Sequence, residues 1–246
     1  MIRLSKRLAA AAAFVPANCR PVDVGTDHAA LPIYLVQSGT AQSVLASDVR
    51  EGPLERARGQ IAKAGLSDRI TLRRTDGLCG ITPEEGDVLI LTGMGGMLIL
   101  RILKAGNLKG FHTLVLSPQS DTEAVRRALM EMNLRIEKET LVREDGKYYP
   151  VMSVVHGVDT DDHPLHLRYG KNLLPEALPV LAAYLETEYD ALSRAAAQID
   201  AHAAAGNAAR ERREELARAC RLNETARRDL LRPKAERIRP DISPAP

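Results

Sequence analysis

Residues 22–28 read Val-Asp-Val-Gly-Thr-Asp-His, and the apolar run that follows at 43–46 leads into Asp48. The first stretch predicts a short strand that breaks at Gly25 into a turn, and the second predicts a strand closed by an acid. A glycine lets the backbone approach a ligand, and an acid after the next strand accepts hydrogen bonds from ribose hydroxyls. These two strand ends therefore predict a nucleoside-binding α/β sheet.

The turn after the first strand has one glycine, where a loop that binds a dinucleotide pyrophosphate has three. This shortage favours a ligand that has a ribose but no phosphate. S-adenosylmethionine is the cofactor that we expect.

Strand and helix signals alternate as far as about residue 158. The predicted strands cover residues 21–24, 43–46, 70–73, 87–91, 113–116, 135–143 and 148–155, and the predicted helices cover 29–38, 53–63, 97–104 and 123–132. Asp145-Gly146 between the last two strands is a hairpin signal. We predict an α/β fold with a Rossmann-like, seven-stranded, mostly parallel sheet and helices on both faces. This order of elements fits a class I methyltransferase better than a dehydrogenase, which continues with a second βαβαβ half.

Beyond residue 160 the pattern becomes that of paired helices. Leu178, Leu185, Leu192 and Ile199 recur at heptad spacing, and positions 216, 223 and 230 repeat it after a turn at 206–207. We predict two domains, a cofactor-binding domain at 1–158 and an antiparallel, coiled-coil-like helical hairpin at 159–246. The tail at 239–246 is expected to be disordered.

Four successive predicted strands are followed by acidic or glycine residues at the edge where open α/β sheets bind ligands. Asp48 is expected to bind the ribose diol and Asp76 the exocyclic amine of adenine, while Gly25 leaves room for the methionine part. Because Asp and Gly also make ordinary turns, the prediction depends on the recurrence of the pattern. The predicted cofactor-binding residues are Asp23, Gly25, Thr26, Asp48, Val49, Asp76, Gly77, Gly93 and Met94.

Composition narrows the class of protein. The formal net charge is +2, yet the first 20 residues carry four basic side chains and no acid, and residues 210–239 are also basic. Such basic segments either bind a polyanion such as RNA or form helix faces exposed to solvent. Three widely spaced cysteines without a CxxC pair indicate a reducing cytosol and no metal site. The alanine-rich run at 8–15 favours a helix over a signal peptide, and no run is long enough to span a membrane.

Seven segments of the chain carry a family resemblance. They are Leu4-Ser5-Lys6-Arg7-Leu8, Asp23-Val24-Gly25-Thr26-Asp27-His28-Ala29, Leu31-Pro32-Ile33-Tyr34-Leu35, Asp48-Val49-Arg50-Glu51-Gly52-Pro53-Leu54, Asp76-Gly77-Leu78, Gly93-Met94-Gly95-Gly96 and Glu144-Asp145-Gly146-Lys147-Tyr148-Tyr149. Together they resemble the bacterial tRNA (adenine-22-N1)-methyltransferase family over residues 3–157. The resemblance implies S-adenosylmethionine as methyl donor and N1 of a tRNA adenine as acceptor. Ala30 and residues 117–120 depart from the family pattern, and both are expected to border the base pocket.

The expected reaction is displacement at a sulfonium methyl by adenine N1, which needs positioning more than a strong base. Asp27 is expected to face the base and accept its N6–H bond. His28 either joins Asp27 as a catalytic residue or caps a helix. The N-terminal helix offers cations for phosphates, and the glycine cluster after the fourth strand admits a flat base. The predicted substrate-binding residues are Lys6, Arg7, Gly95 and Gly96.

Two other classes of protein stay open at this point. The acid at Asp48 also fits a nicotinamide-dependent oxidoreductase, although the second and third loop glycines are missing. The fold also fits an RNA-binding protein without catalysis. Our expectation is a cytoplasmic monomer or weak dimer that binds tRNA, with no metal and no membrane.

Overall fold

The computed structural model describes residues 1–176, 178–201 and 207–232 and divides into two compact units. The first unit spans Met1–Thr160, and the second begins at Asp161. Each unit is considered by itself below. In the described parts of the chain, no helix has both the length and the apolar character needed to cross a bilayer.

The first unit contains one sheet of seven strands. They are β1 (Pro21–Val24), β2 (Val44–Asp48), β3 (Ile70–Arg74), β4 (Val88–Met94), β5 (Thr113–Pro118), β6 (Leu134–Glu144) and β7 (Lys147–His156). Their order in the sheet is β3-β2-β1-β4-β5-β7-β6. Strands β1 to β5 are parallel, and β7 runs antiparallel to both of its neighbours. The predicted fold class is confirmed.

Helices cover both faces of this sheet. They are α1 (Lys6–Ala13), α2 (Ala30–Gln37), α3 (Glu51–Lys63), α4 (Gly96–Ala105) and α5 (Thr122–Glu131), with a short 3₁₀ helix at Pro83–Glu85. Side chains alternate along β4, so that Leu89 and Leu91 pack with α4 and α5 while Val88 and Ile90 pack with α1, α2 and α3. Because both faces are covered, the buried part of β4 from Val88 to Leu91 is apolar without a break.

Strand β4 continues beyond the predicted range of 87–91. Its pairing with β5 shifts register between Thr92 and Met94, which makes Gly93 the extra residue of a β-bulge. Gly93 has φ +76°, a left-handed conformation that glycine adopts without steric penalty. The sequence pattern indicates Gly93 only as a turn residue. The predicted strand therefore ends at residue 91, whereas β4 continues to Met94.

The hairpin of β6 and β7 has its tip at the carboxyl edge of the parallel strands. Leu116 near the end of β5 pairs with Met152, and Leu114 pairs with Val154. The low-numbered residues of β7 therefore adjoin the end of β5. The predicted Asp145-Gly146 turn joins the two strands, with φ of 49° and 76° at its two residues. This tip consequently lies at the edge where an open α/β sheet binds ligands.

The second unit is helical in its described residues. Two short helices, α6 (Pro164–Tyr169) and α7 (Leu173–Glu176), precede two long ones, α8 (Pro179–Ala201) and α9 (Asn207–Leu230). The short helices were not predicted, because residues 159–162 together with Pro164 resemble a hinge and the predicted helical pattern starts only at Leu178. Pro164 instead occupies the first turn of α6, where its missing N–H costs nothing.

The heptad prediction holds for part of the pairing between α8 and α9. Leu185, Leu216 and Asn223 are buried, and the Asn223 amide donates to the Leu185 carbonyl at 3.0 Å. A second contact joins Arg227 of α9 to Glu186 of α8 at 2.9 Å. The side chain of Ile199, the turn residue Gly206 and the tail at 239–246 lie outside the described residues.

Candidate active site

A cavity of about 500 Å³ opens at the carboxyl ends of β1 to β4. Its volume is within the range of about 300–1,000 Å³ that is usual for small-molecule sites. Nine of the predicted site residues line it: Gly25, Asp27, Asp48, Val49, Asp76, Gly77, Gly93, Met94 and Gly95. The sheet order explains this convergence, because β3, β2, β1 and β4 are consecutive neighbours and their following turns share one edge.

Six predicted site residues lie outside the cavity wall: Lys6, Arg7, Asp23, Thr26, His28 and Gly96. Asp23 and Thr26 are buried at the end of β1 and in its turn. Lys6 is exposed at the start of α1, where Ser5 forms the N-cap by accepting the Leu8 N–H. These positions separate residues that support the site from residues that face it.

The turn after β1 contains three left-handed residues within five positions. Gly25, Asp27 and Ala29 have φ of 82°, 49° and 55°. A β-carbon at Gly25 would lie 2.9 Å from Cε of Met94, so glycine allows this turn to meet the end of β4 closely. The N–H groups of Gly25 and Thr26 donate to the Ser47 carbonyl, which fixes the turn beside the end of β2.

The suggestion that His28 caps a helix is wrong. Helix α2 begins at Ala30, one residue later than predicted, and its N-cap is the left-handed Ala29 without a side-chain cap bond. Nε2 of His28 lies 3.5 Å from Oδ2 of Asp27, and both side chains are more than half exposed. The imidazole is therefore a neighbour of the Asp27 carboxylate.

Asp48 is the most enclosed carboxylate in the cavity wall, with its side chain 8% exposed. Its Oδ1 accepts the backbone N–H of Arg50 at 3.0 Å, which sets the orientation of the carboxylate. Among the described residues, Oδ2 has no hydrogen-bond partner. A buried carboxylate with one fixed and one available oxygen is suited to accept hydroxyl donors from a ligand.

The other two acids of the wall are exposed and paired with arginines. Asp27 accepts a bond of 3.0 Å from Arg56 of α3, and Asp76 accepts one of 2.9 Å from Arg101 of α4. Their side chains are 59% and 58% exposed. Exposed pairs contribute little to stability, about 0–1 kcal/mol, so these acids are available to ligands at little cost.

Asp23 lies beneath the cavity and is 3% exposed. Burial raises the pKa of its carboxyl from 3.8 to about 6, and the negative charge of Asp48 adds to this increase. The folded state therefore holds the Asp23 proton more tightly than the unfolded state does. Between about pH 4 and pH 6, this difference lowers the stability of the fold as the pH rises.

Asp23→Asn is expected to remove this loss and to stabilise the ligand-free protein at pH 7. A raise of about two pKa units corresponds to at most about 3 kcal/mol. Urea unfolding between pH 4.5 and 7.5 should give a flatter stability profile for the variant, beside the exposed control Asp68→Asn. Parallel profiles for wild type and Asp23→Asn would contradict the assignment.

Gly96 was predicted to bind the substrate, but the structure gives it a packing position. It is buried at the start of α4, and its N–H donates to the Ser120 carbonyl at 3.2 Å. A β-carbon there would lie 2.5 Å from that carbonyl oxygen and 2.9 Å from Cγ2 of Val125. Only glycine lets α4 approach the loop after β5 this closely.

Gly96→Ala is therefore expected to lower the free energy of unfolding by about 1–3 kcal/mol, since backbone atoms must move. Gly59→Ala is the matched control, because a β-carbon at Gly59 in α3 meets nothing within 4 Å. The control should gain up to about 1 kcal/mol from helix propensity. Urea unfolding measures both, and a Gly96→Ala variant as stable as wild type would refute the packing argument.

The cavity wall also includes eight residues that the sequence prediction did not assign to the site: Val24, Arg50, Thr75, Thr92, Leu98, Arg101, Ile102 and Gln119. Four of them, Val24, Arg50, Thr75 and Thr92, are next to predicted site residues in the chain, so widening each predicted turn by one position would have found them. Gln119 lies within the segment noted as a departure from the family pattern. Arg101 and Ile102 lie inside α4, several residues beyond the turn that follows β4, and the sequence around them carries no such signal.

No group of three or more His, Cys, Asp or Glu side chains that could hold a metal ion occurs in the described parts of the chain. The cavity wall offers carboxylates, two arginines, hydroxyl and amide side chains, glycine backbone and apolar side chains as its binding groups.

Residues 4–152 match the family described as "Methyltransferase domain". A crystal structure named as the Bacillus subtilis m1A22 tRNA methyltransferase TrmK is 30% identical to this chain, with a TM-score of 0.84. The comparison covers 92% of this chain and all of that one. The chain belongs to the tRNA (adenine-22-N1)-methyltransferase family. This membership contradicts the alternative prediction of a nicotinamide-dependent oxidoreductase.

Other relatives of this family agree. The Bacillus subtilis tRNA (adenine(22)-N(1))-methyltransferase is 37% identical over 153 residues, which are 61% of this chain and 64% of that protein. The sequence match thus spans less than two thirds of the curated relative. The M. capricolum TrmK structure, in complex with S-adenosylhomocysteine, is 25% identical with a TM-score of 0.80 and covers 93% of this chain and 99% of that one.

Proposed function

We propose that this chain transfers a methyl group from S-adenosylmethionine to N1 of adenine 22 in the D-arm of tRNA. The observation that carries the proposal is the cavity at the ends of β1 to β4, with the enclosed Asp48 carboxylate on its wall. The names of the family relatives supply the substrate and the position of the base. We further propose that the protein is cytoplasmic, as tRNA is, and acts as a monomer or weak dimer.

The residues of the cavity fit S-adenosylmethionine. Oδ2 of Asp48 would accept from the ribose hydroxyls, and Asp76 would accept from the adenine amine. Val49 and Leu98, which are 50% and 40% exposed on the cavity wall, would cover the adenine ring. Gly25, where a β-carbon would approach Met94, would leave room for the methionine part. S-adenosylmethionine supplies an electrophilic methyl group on a positively charged sulfur.

The protein groups then have two tasks, to hold adenine N1 in line and to stabilise the charge that forms on the base. N1 of neutral adenine already has a lone pair, so orientation contributes more than proton removal. We propose that the Asp27 carboxylate accepts the N6–H bond and stabilises the cationic N1-methyladenine. Arg56, 3.0 Å from Asp27, holds this carboxylate in place. His28 would join the same network through its 3.5 Å approach to Asp27.

The N1 edge of a paired or stacked base is not accessible, so the target must leave its stack to reach the cavity. The mouth of the cavity is open, since Asp27, Asp76 and Val49 on its wall are all half or more exposed. Gly95, whose β-carbon would lie 3.1 Å from Oγ of Ser120, would admit a flat base beside the loop after β5. The arginine-rich α9 is proposed to contact the tRNA body through salt-sensitive bonds.

The test is transfer of radiolabelled methyl to unmodified tRNA transcripts, with the product base mapped. Wild type should form N1-methyladenine at position 22 and should not methylate a transcript with guanine at that position. Asp27→Ala should lower kcat about 10- to 100-fold, since it removes one charge-stabilising contact. Its affinity for S-adenosylhomocysteine should stay within about threefold of wild type.

Asp68→Ala is the control, an exposed acid after α3 outside the cavity wall. A wild-type protein that binds S-adenosylhomocysteine yet methylates no tRNA would refute the proposed function. Full activity in Asp27→Ala would remove only the role of Asp27.

A further inference from the structure

Arg7 is a half-enclosed cation at the cavity edge whose donors are mostly unused. Its side chain is 19% exposed, and its Nε and Nη1 are buried without a hydrogen-bond acceptor. The nearest carboxylate oxygen, Oε2 of Glu144, is 3.9 Å from Nε. An enclosed guanidinium without a close carboxylate is costly, which indicates a ligand that completes it.

Two residues of the β6–β7 hairpin hold Arg7 in position. Its guanidinium carbon lies 5.0 Å from the centre of the Tyr149 ring, within cation–π distance. The Glu144 carboxylate accepts the backbone N–H of Arg7 at 3.4 Å. The side chain is therefore pre-oriented at the hairpin tip, which lies at the same sheet edge as the cavity.

Arg7 also lies near the bulge that ends β4. A β-carbon built at Gly93 would stand 3.8 Å from Nη1 of Arg7, and Gly93 lines the cavity. The guanidinium therefore lies close to the cavity rim. Nη2 is the guanidinium nitrogen that is neither buried nor hydrogen-bonded in the structure, and it faces solvent.

We infer that Arg7 binds a phosphate of the nucleic-acid backbone next to the target adenine and thereby positions the base over the cavity. This inference rests on the proposed function. The accessible Nη2 is a charged donor, and a charge-assisted hydrogen bond from it suits an anionic phosphodiester better than a neutral base edge. The phosphate would anchor the nucleotide while its base enters past Gly93.

The test compares Arg7→Met, Arg7→Lys and the charge-matched control Arg20→Met. Arg20 pairs with Asp87, which precedes β4, at the opposite edge of the sheet. Binding of unmodified tRNA transcript is measured from 50 to 300 mM NaCl, and S-adenosylhomocysteine binding and melting temperature are measured for each variant. Arg7→Met should bind tRNA about tenfold more weakly, and its slope of log affinity against log salt should fall by about one.

Arg7→Lys keeps the charge but loses the planar guanidinium that stacks on Tyr149, so it should keep the wild-type salt slope and bind tRNA about threefold more weakly. S-adenosylhomocysteine affinity should stay within twofold in every variant. If the melting temperature of Arg7→Met is much lower than that of wild type, the tRNA affinity of Arg7→Lys is the deciding measurement. Wild-type tRNA affinity and salt slope in the folded Arg7 variants, or a parallel loss of cofactor affinity, would overturn the inference. Wild-type protein that binds no tRNA would instead defeat the proposed function.

Discussion

Asp48→Ala is expected to weaken the binding of S-adenosylmethionine about a hundredfold. Hydrogen bonds to a charged acceptor contribute about 1.5–3 kcal/mol each, and the ribose diol offers two hydroxyl donors to this one carboxylate. Asp48 is enclosed, so water cannot replace the lost bonds as it can at the exposed Asp76. Isothermal titration with S-adenosylhomocysteine measures the effect directly.

Asp76→Ala is the comparison, because the same cavity presents this carboxylate to solvent in a pair with Arg101. Its loss should be at most about tenfold, since an exposed acceptor competes with water. Loss of the Asp48 charge should not lower the stability of the ligand-free protein. In the wild type this charge disfavours ionisation of the buried Asp23 carboxyl and so raises its pKa. A larger loss of affinity in Asp76→Ala than in Asp48→Ala would reverse the assignment of the ribose site.

Glu139→Gln is expected to lower the free energy of unfolding by about 3–5 kcal/mol. Glu139 of β6 accepts from Nε and Nη2 of Arg126 in α5, and the two side chains are 0% and 5% exposed. The amide removes the negative charge that two donors of this enclosed guanidinium meet. Urea unfolding, with the midpoint and slope fitted together, gives the loss.

Two further variants separate the charge from the packing. Glu55→Gln breaks the exposed pair of Glu55 with Arg58 within α3 and should cost at most about 1 kcal/mol. The double variant Arg126→Met with Glu139→Met should recover most of the stability, because an apolar pair needs no counter-ion. If Glu139→Gln and Glu55→Gln lost equal stability, burial of the Glu139–Arg126 pair would not be the cause.

The sequence predicted the parts of the fold where a local pattern is compatible with only one kind of structure. The apolar run of β4 and the turn glycine after β1 are examples, since each is explained by its own neighbours in the chain. The seven strands and their class followed from such patterns. Strand ends were less accurate, because the bulge at Gly93 depends on pairing with β5 rather than on local sequence.

The candidate site shows the same division. Acids and glycines directly after strands were found, because the topology brings every such turn to one edge. Gly96 was misplaced because a glycine that admits a base and one that admits a helix look alike in sequence. The sequence did not reveal the roles of Arg101 and Arg56, because each pairs with an acid far away in the chain. Arg101 is 25 positions from Asp76, and Arg56 is 29 positions from Asp27.

The left-handed Ala29 has a consequence for how this protein can be engineered. A residue with a β-carbon in that conformation costs about 1–2 kcal/mol, and here it begins the helix that follows the cofactor turn. Glycine at 29 would relieve the strain, but it would also remove a fully buried methyl group and loosen the turn that shapes the cavity. A search for thermostable variants should therefore set the β1–α2 turn aside and begin at Gly59, where added rigidity does not touch the site.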